Sequence, residues 1–127
     1  MKSFMIIVAT VFVTAMFGAP ALADGDVKKG AKVFKRCKAC HKIEAGKNGV
    51  GPHLFGIVGR GVASVDGYTY SKALIAYGSG GAVWDSARLG AYLRKPKAEV
   101  KGTKMAFAGL KKDAQRADLI AYLDTLK

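Results

Sequence analysis

The middle of this chain is the strongest constraint on its fold. Residues 43–83 show almost no hydrophobic period and are rich in glycine. Irregular segments longer than about 12–15 residues are uncommon in a compact domain. Such a stretch needs something to wrap. Only residues 71–76 within it carry a short helical pattern.

Helical patterns flank the gap. Over residues 26–39, Val27, Gly30, Phe34 and Cys37 recur at helical spacing, and Asp26 is placed to cap the N-terminus. Gly30 sits inside that pattern at a cost of about 1 kcal/mol against alanine, which points to close approach by another backbone or ring. Over residues 85–94, Asp85 is the cap and Leu89, Tyr92 and Leu93 form a face. Pro96 ends it, because proline disfavours helix in the residue before it. Over residues 113–126, Leu119, Ile120, Tyr122, Leu123 and Leu126 make a broad apolar stripe. The expected architecture is all-α, with three main helices around a missing object.

Half of the 127 residues are apolar, but unevenly so. Residues 4–17 carry no charge, and Lys2 is the only charge before Asp24. A basic start, a short apolar run and Ala21-Leu22-Ala23 read as a secretory signal cleaved after Ala23. The run is shorter than the roughly 20 residues of a membrane span. A retained N-terminal anchor is the alternative. The expected mature domain is residues 24–127, exported to the periplasm. Removing Lys2 takes the formal charge from +12 to +11. So basic a chain is no acidic buffer, and export disfavours nucleic acid against an acidic protein or anionic lipid.

Cys37-Lys38-Ala39-Cys40-His41 supplies the missing object. Residues three and four apart share a face of a helix or tight turn. Two thiols there can form thioethers with the vinyl groups of one haem, while the histidine presents a nitrogen to its iron; the spacing reads as c-type haem attachment. A redox disulfide predicts a βαβ context that is absent here. A zinc site wants about four ligands, and His53 is the only other histidine. A structural disulfide suits export but leaves the long loop unexplained.

A second iron ligand has few candidates. Met1, Met5 and Met16 leave with the signal, so Met105 is the only mature methionine. A methionine is ordinarily a core filler, but Met105 lies in the glycine-flanked segment Gly102-Thr103-Lys104-Met105-Ala106-Phe107. His53 reads as a surface or hydrogen-bonding residue. Lys104 is a reserve ligand only after losing its proton.

At this point the chain resembles the class I cytochromes c, close to the mitochondrial type and its soluble bacterial relatives. The likeness runs over residues 24–127. It rests on Lys29 to Phe34, the haem motif, Gly51 to Gly56 with Gly59-Arg60, Gly67 to Ser71, Trp84, Tyr92-Leu93, Pro96-Lys97, Gly102 to Gly109 and Asp118 to Leu123. The resemblance implies the class I fold, with short helices and long loops around one haem c bound through Cys37 and Cys40, and iron held by His41 and Met105. It implies that the Pro52 carbonyl orients His41. Arg60, Tyr70 and Trp84 match residues near a buried haem propionate, and Tyr92 and Thr103 match residues around the methionine sulfur and the inner propionate. Gly30 and Phe34 match the contact with Leu119 and Tyr122. Two departures stand out: Leu74 replaces an asparagine common in relatives, and the loop 76–82 is unusually glycine-rich. The connection from His41 to Pro52 is also a residue shorter than in the mitochondrial proteins.

With both axial positions filled, the expected function is outer-sphere transfer of one electron, not enzymatic turnover. The rival reading is a haem enzyme or sensor whose methionine is displaced. Lys32, Arg36, Lys97, Lys104, Lys111 and Lys112 match the family's docking ring around the haem edge. A positive ring steers acidic partners. The resemblance implies a bc1-type complex as donor and a terminal oxidase or photosynthetic reaction centre as acceptor. It implies a monomer that touches anionic membrane at most transiently.

Overall fold

Asp26 opens the first helix. Its carboxylate accepts from the Lys29 backbone N–H at 2.9 Å and caps α1 (Val27–Phe34). The structure, a computed structural model, describes residues 25–127. The expected leader, residues 1–23, lies outside the described residues. The Asp26 N–H in turn donates to the Asp118 carboxylate at 2.7 Å, tying the start of α1 to the last helix.

The other helices follow the same capping logic. Ser71 caps α2 (Lys72–Tyr77), accepting from the Leu74 N–H at 3.0 Å. Asp85 caps α3 (Ser86–Arg94) through the Arg88 N–H at 2.7 Å. Pro96 stops α3 as expected, but it also opens a four-residue helix, α4 (Pro96–Glu99). Proline suits a first helical position, where its missing N–H has no partner to lose. The last helix, α5 (Asp113–Asp124), starts where the sequence suggested and ends two residues earlier. Arg116 holds the chain leading into it, donating to the Leu110 carbonyl at 2.6 Å and the Lys111 carbonyl at 2.9 Å.

Helices α1 and α5 cross at Gly30. A Cβ there would lie 2.0 Å from the Asp118 carbonyl oxygen and 2.7 Å from the Tyr122 Cβ. One turn on, the Phe34 and Tyr122 rings meet with centroids 5.3 Å apart. Leu119 and Leu123 bury beneath this crossing. Helix α3 packs on α5, and the Leu110 N–H donates to the Leu93 carbonyl at 2.8 Å.

Residues 43–83 wrap these helices as turns, with α2 as their single helix. An isolated bridge joins Gly61 to Val83; beside it the Trp84 N–H donates to the Arg60 carbonyl at 2.8 Å. That pairing sets Arg60 and Trp84 side by side.

Candidate functional site

The sequence places a helix through residue 39, but α1 ends at Phe34. Tight turns replace it: the Cys37 N–H donates to the Phe34 carbonyl at 2.8 Å and the His41 N–H to the Cys37 carbonyl at 3.0 Å. The three- and four-residue spacing survives, so Cys37, Cys40 and His41 all line one cavity of ≈ 640 Å³. Cys37 is half-buried and Cys40 exposed, with no disulfide between them. Burial pushes the Cys37 thiol up, with Arg36 opposing and Cys40 adding to the rise.

His41 is oriented from behind. Its Nδ1 donates to the Pro52 carbonyl at 2.7 Å, which fixes the tautomer and leaves Nε2 without a proton. Burial lowers its pKa; the Pro52 bond opposes the shift and Arg60 adds to it, so the ring is neutral at pH 7. Gly51 makes room: a Cβ there would sit 2.5 Å from His41 Cε1.

Met105 lines the same cavity from the loop between α4 and α5. Its N–H donates to Thr103 Oγ1 at 3.4 Å, and that hydroxyl pairs with Tyr92 Oη at 2.7 Å. Burial raises the Tyr92 phenol pKa, against the pull of Thr103. Lys104 donates from Nζ to the Thr69 carbonyl at 2.6 Å, closing the Met105 loop onto the wrapping segment.

Arg60, Tyr70 and Trp84 form a third wall. Arg60 Nη1 donates to the carbonyls of His53 at 3.0 Å and Phe55 at 2.9 Å, while its Nε is buried without a partner. Desolvation lowers the Arg60 pKa. The Tyr70 phenol accepts from the Val65 N–H at 3.0 Å, and burial raises its pKa. All ten residues expected around the haem thus line a single cavity. His53 does not line it. Its backbone N–H donates to Asn48 Oδ1 at 3.0 Å, but its ring Nδ1 is buried with no partner among the described residues, so the expected side-chain hydrogen bond is not made.

Residues 27–127 match the family model described as cytochrome c. The chain belongs to the cytochrome c family. It is 54% identical over 108 residues to cytochrome c-type cyt cy of Rhodobacter capsulatus, covering 84% of this chain and 52% of that protein. The chain therefore spans about half the length of that relative. Cytochrome c2 of Rhodomicrobium vannielii is 46% identical over 119 residues, which is 93% of each chain. Among solved structures, cytochrome cH from Methylobacterium extorquens superposes with a TM-score of 0.72 at 47% identity, covering 80% of this chain and 99% of that one.

Membership brings haem c, and the cavity fits it on three counts. The two thiols are free for thioethers. The His41 imidazole is neutral, oriented and given clearance by Gly51. The unpartnered Arg60 Nε belongs to a residue of the cavity wall, where a propionate carboxylate would satisfy a buried donor that is otherwise costly.

Leu74, the departure from the asparagine of relatives, also lines this cavity and adds an apolar wall. The glycine-rich loop beyond it turns at Gly80 and Gly81, both at φ +76°, a backbone region that glycine favours.

The six expected docking residues are all exposed. Arg36 and Lys104 flank the cavity mouth, the Arg36 guanidinium lying 5.5 Å from the Phe107 ring centroid. Lys111 instead borders a second cavity with Arg94 and Lys95, two cations absent from the sequence-based set. Lys32, Lys97 and Lys112 stand on α1, on α4 and at the cap of α5. Gly51 was also missed as a positioning residue; its place before Pro52 was the available signal.

Proposed function

We propose that this cytochrome c is an exported, soluble carrier of single electrons. Its haem c is bound through Cys37 and Cys40, with His41 and Met105 as the iron ligands. The observation that carries the reading is the convergence of these four donor side chains on one cavity. The group supplies one-electron oxidation and reduction of its iron. The chain does the rest. Pro52 holds the His41 ring and raises its basicity. Tyr92 and Thr103 brace the Met105 loop. Arg60 supplies the donor for a propionate. With His41 and Met105 both holding the iron, no ligand position would be left for a substrate, which supports a carrier over an enzyme.

The partners are acidic surfaces on redox proteins, of which a bc1-type complex, a terminal oxidase or a photosynthetic reaction centre are the class. Arg36 and Lys104 at the cavity mouth support that choice, because rim cations raise the encounter rate with an acidic face. A periplasmic location accords with the leader pattern and with relatives named cytochrome c2 and cytochrome c-550. Among the described residues no helix is long and apolar enough to cross a membrane. Mass spectrometry of protein secreted from an oxidising compartment tests the attachment. The expected product begins at Asp24, weighs one haem more than its polypeptide and has no free thiol. Haem that extracts into acidified organic solvent contradicts the assignment.

A further inference from the structure

The loop that carries Met105 has little backbone pairing of its own. Its ends are tied, by the Thr103 N–H to the Val100 carbonyl at 3.1 Å and the Leu110 N–H to the Leu93 carbonyl at 2.8 Å. Among the described residues, the N–H groups of residues 104–109 donate to no backbone carbonyl. Side-chain contacts must hold the loop, and three of them come from one segment, residues 69–77. The Thr69 carbonyl accepts from Lys104 Nζ at 2.6 Å. Ala73 lies against Gly102, where a built Cβ would be 3.2 Å from the Ala73 Cβ. The Tyr77 hydroxyl donates to Glu99 Oε1 at 2.8 Å. Positions 69, 73 and 77 advance by four, while their partners run back from 104 through 102 to 99. The segment lies antiparallel along the loop, with Ala73 and Tyr77 one turn apart on one face of α2.

Both ends of the Tyr77–Glu99 contact are anchored. Tyr77 is the last residue of α2. A Cβ on the next residue, Gly78, would lie 2.9 Å from both the Cβ and the carbonyl oxygen of buried Val62. The Tyr77 ring has the Trp84 ring centroid 6.0 Å away and the Arg88 guanidinium 4.9 Å from its own centroid. Glu99 ends α4, next to buried Val100, whose N–H donates to the carbonyl of buried Pro96 at 2.9 Å. Burial and the Glu99 bond and charge push the Tyr77 pKa up to about 12, despite Arg88, so the phenol keeps the proton it donates throughout the neutral range.

We propose that Tyr77 and Glu99 are positioning residues for Met105, their hydrogen bond latching the Met105 loop to α2 so that the sulfur stays in the cavity. The proposal rests on the reading above that Met105 is an iron ligand. A segment poor in backbone hydrogen bonds is where local opening costs least. Opening this one from its α4 end separates Glu99 from Tyr77, so the bond weights the closed state. A hydrogen bond to a carboxylate at a partly exposed site shifts such an equilibrium by about three- to tenfold. The glycine-rich turn after α2 serves the same latch. Gly80 and Gly81, both at φ +76°, bring the chain back from Tyr77 to the bridge between Gly61 and Val83, which lets α2 reach as far as α4.

The test titrates ferric holoprotein with imidazole, which takes the iron position only when Met105 has left it, and follows loss of the Met–iron charge-transfer band. Apparent affinity rises with the fraction of open loop. Tyr77→Phe and Glu99→Ala should each tighten imidazole binding by about three- to tenfold. The double variant should go no further than either single one, because both remove the same bond. Glu99→Gln keeps an acceptor oxygen and should stay within about twofold of wild type, as should Gly30→Ala, which loosens the distant crossing of α1 and α5. Wild-type affinity in Tyr77→Phe and Glu99→Ala, additive effects in the double variant, or an equal gain in Glu99→Gln or Gly30→Ala overturns the latch. Wild-type protein without the Met–iron band before imidazole is added overturns the ligand assignment and the latch with it.

Discussion

Replacing Gly30 with alanine is expected to destabilise the protein although alanine is the better helix former. The added Cβ would lie 2.0 Å from the Asp118 carbonyl oxygen and 2.7 Å from the Asp118 carbonyl carbon. Both are backbone atoms of α5 and cannot swing aside as a flexible side chain can. Overpacking costs about 1–3 kcal/mol, and a backbone obstacle puts this case near the top of that range. Relief of the helix penalty of glycine returns about 1 kcal/mol. The net loss is about 2 kcal/mol, or a fall of about 8–16 °C in Tm for a domain of this size. Gly90 is the internal control. It lies in α3 with nothing within 4 Å of a built Cβ, so Gly90→Ala should instead gain about 0.5–1 kcal/mol. Thermal and guanidinium melts of the three holoproteins, followed by far-UV ellipticity, make the comparison. Gly30→Ala as stable as wild type, or shifted in the same direction as Gly90→Ala, would refute the claim that contact between α1 and α5 fixes this residue.

Gly51→Ala places a Cβ 2.5 Å from His41 Cε1 and 2.8 Å from Nδ1, so the ring must turn and its bond to Pro52 is lost. Loss of such an orienting partner costs about 10–100-fold in metal affinity, and His41 should leave the iron at lower urea than in wild type; an unchanged midpoint counts against the orienting role. Lys97→Glu should slow second-order electron transfer to an acidic partner at 0.01 M salt, where the Debye length is roughly 30 Å, and less at 0.15 M, where it is about 8 Å. Lys47→Glu makes the same charge change in a loop between His41 and Pro52, outside the expected ring; equal slowing by both would mean that net charge alone governs the encounter.

Much of the helical frame was legible because it depends on local chemistry. Asp26 and Asp85 cap their helices through a neighbour three residues away, which a sequence displays directly, whereas Ser71, read as part of the short helix, proves to be its cap. The close approach at Gly30 was readable from its cost alone. The early end of α1 was not, because the turns at Cys37 and His41 keep helical spacing and differ only in how tightly they close. Pro96 was read as a stop, yet one proline both ends α3 and begins α4. The site divides in the same way. Cys37, Cys40 and His41 are contiguous, and Met105 stood out by elimination. The pairing of Tyr77 with Glu99 and the bonds from Arg60 to the His53 and Phe55 carbonyls depend on how loops fold back, which no periodicity records. The neighbours of the basic residues also had to be seen: Lys111 borders a cavity with Arg94 and Lys95, while Arg36 and Lys104 line the larger one.

The reduction potential and visible spectrum of Met105→Ala test the central claim most directly. If the sulfur of Met105 completes the coordination of the iron, this variant keeps its covalent haem. It loses the Met–iron charge-transfer band at every pH, and its potential falls, since His/Met ligation raises it. The Tyr92–Thr103 pair does not involve the methionine side chain, so the variant still folds around the same cavity. A Met105→Ala protein that retains both the band and the wild-type potential would contradict the account.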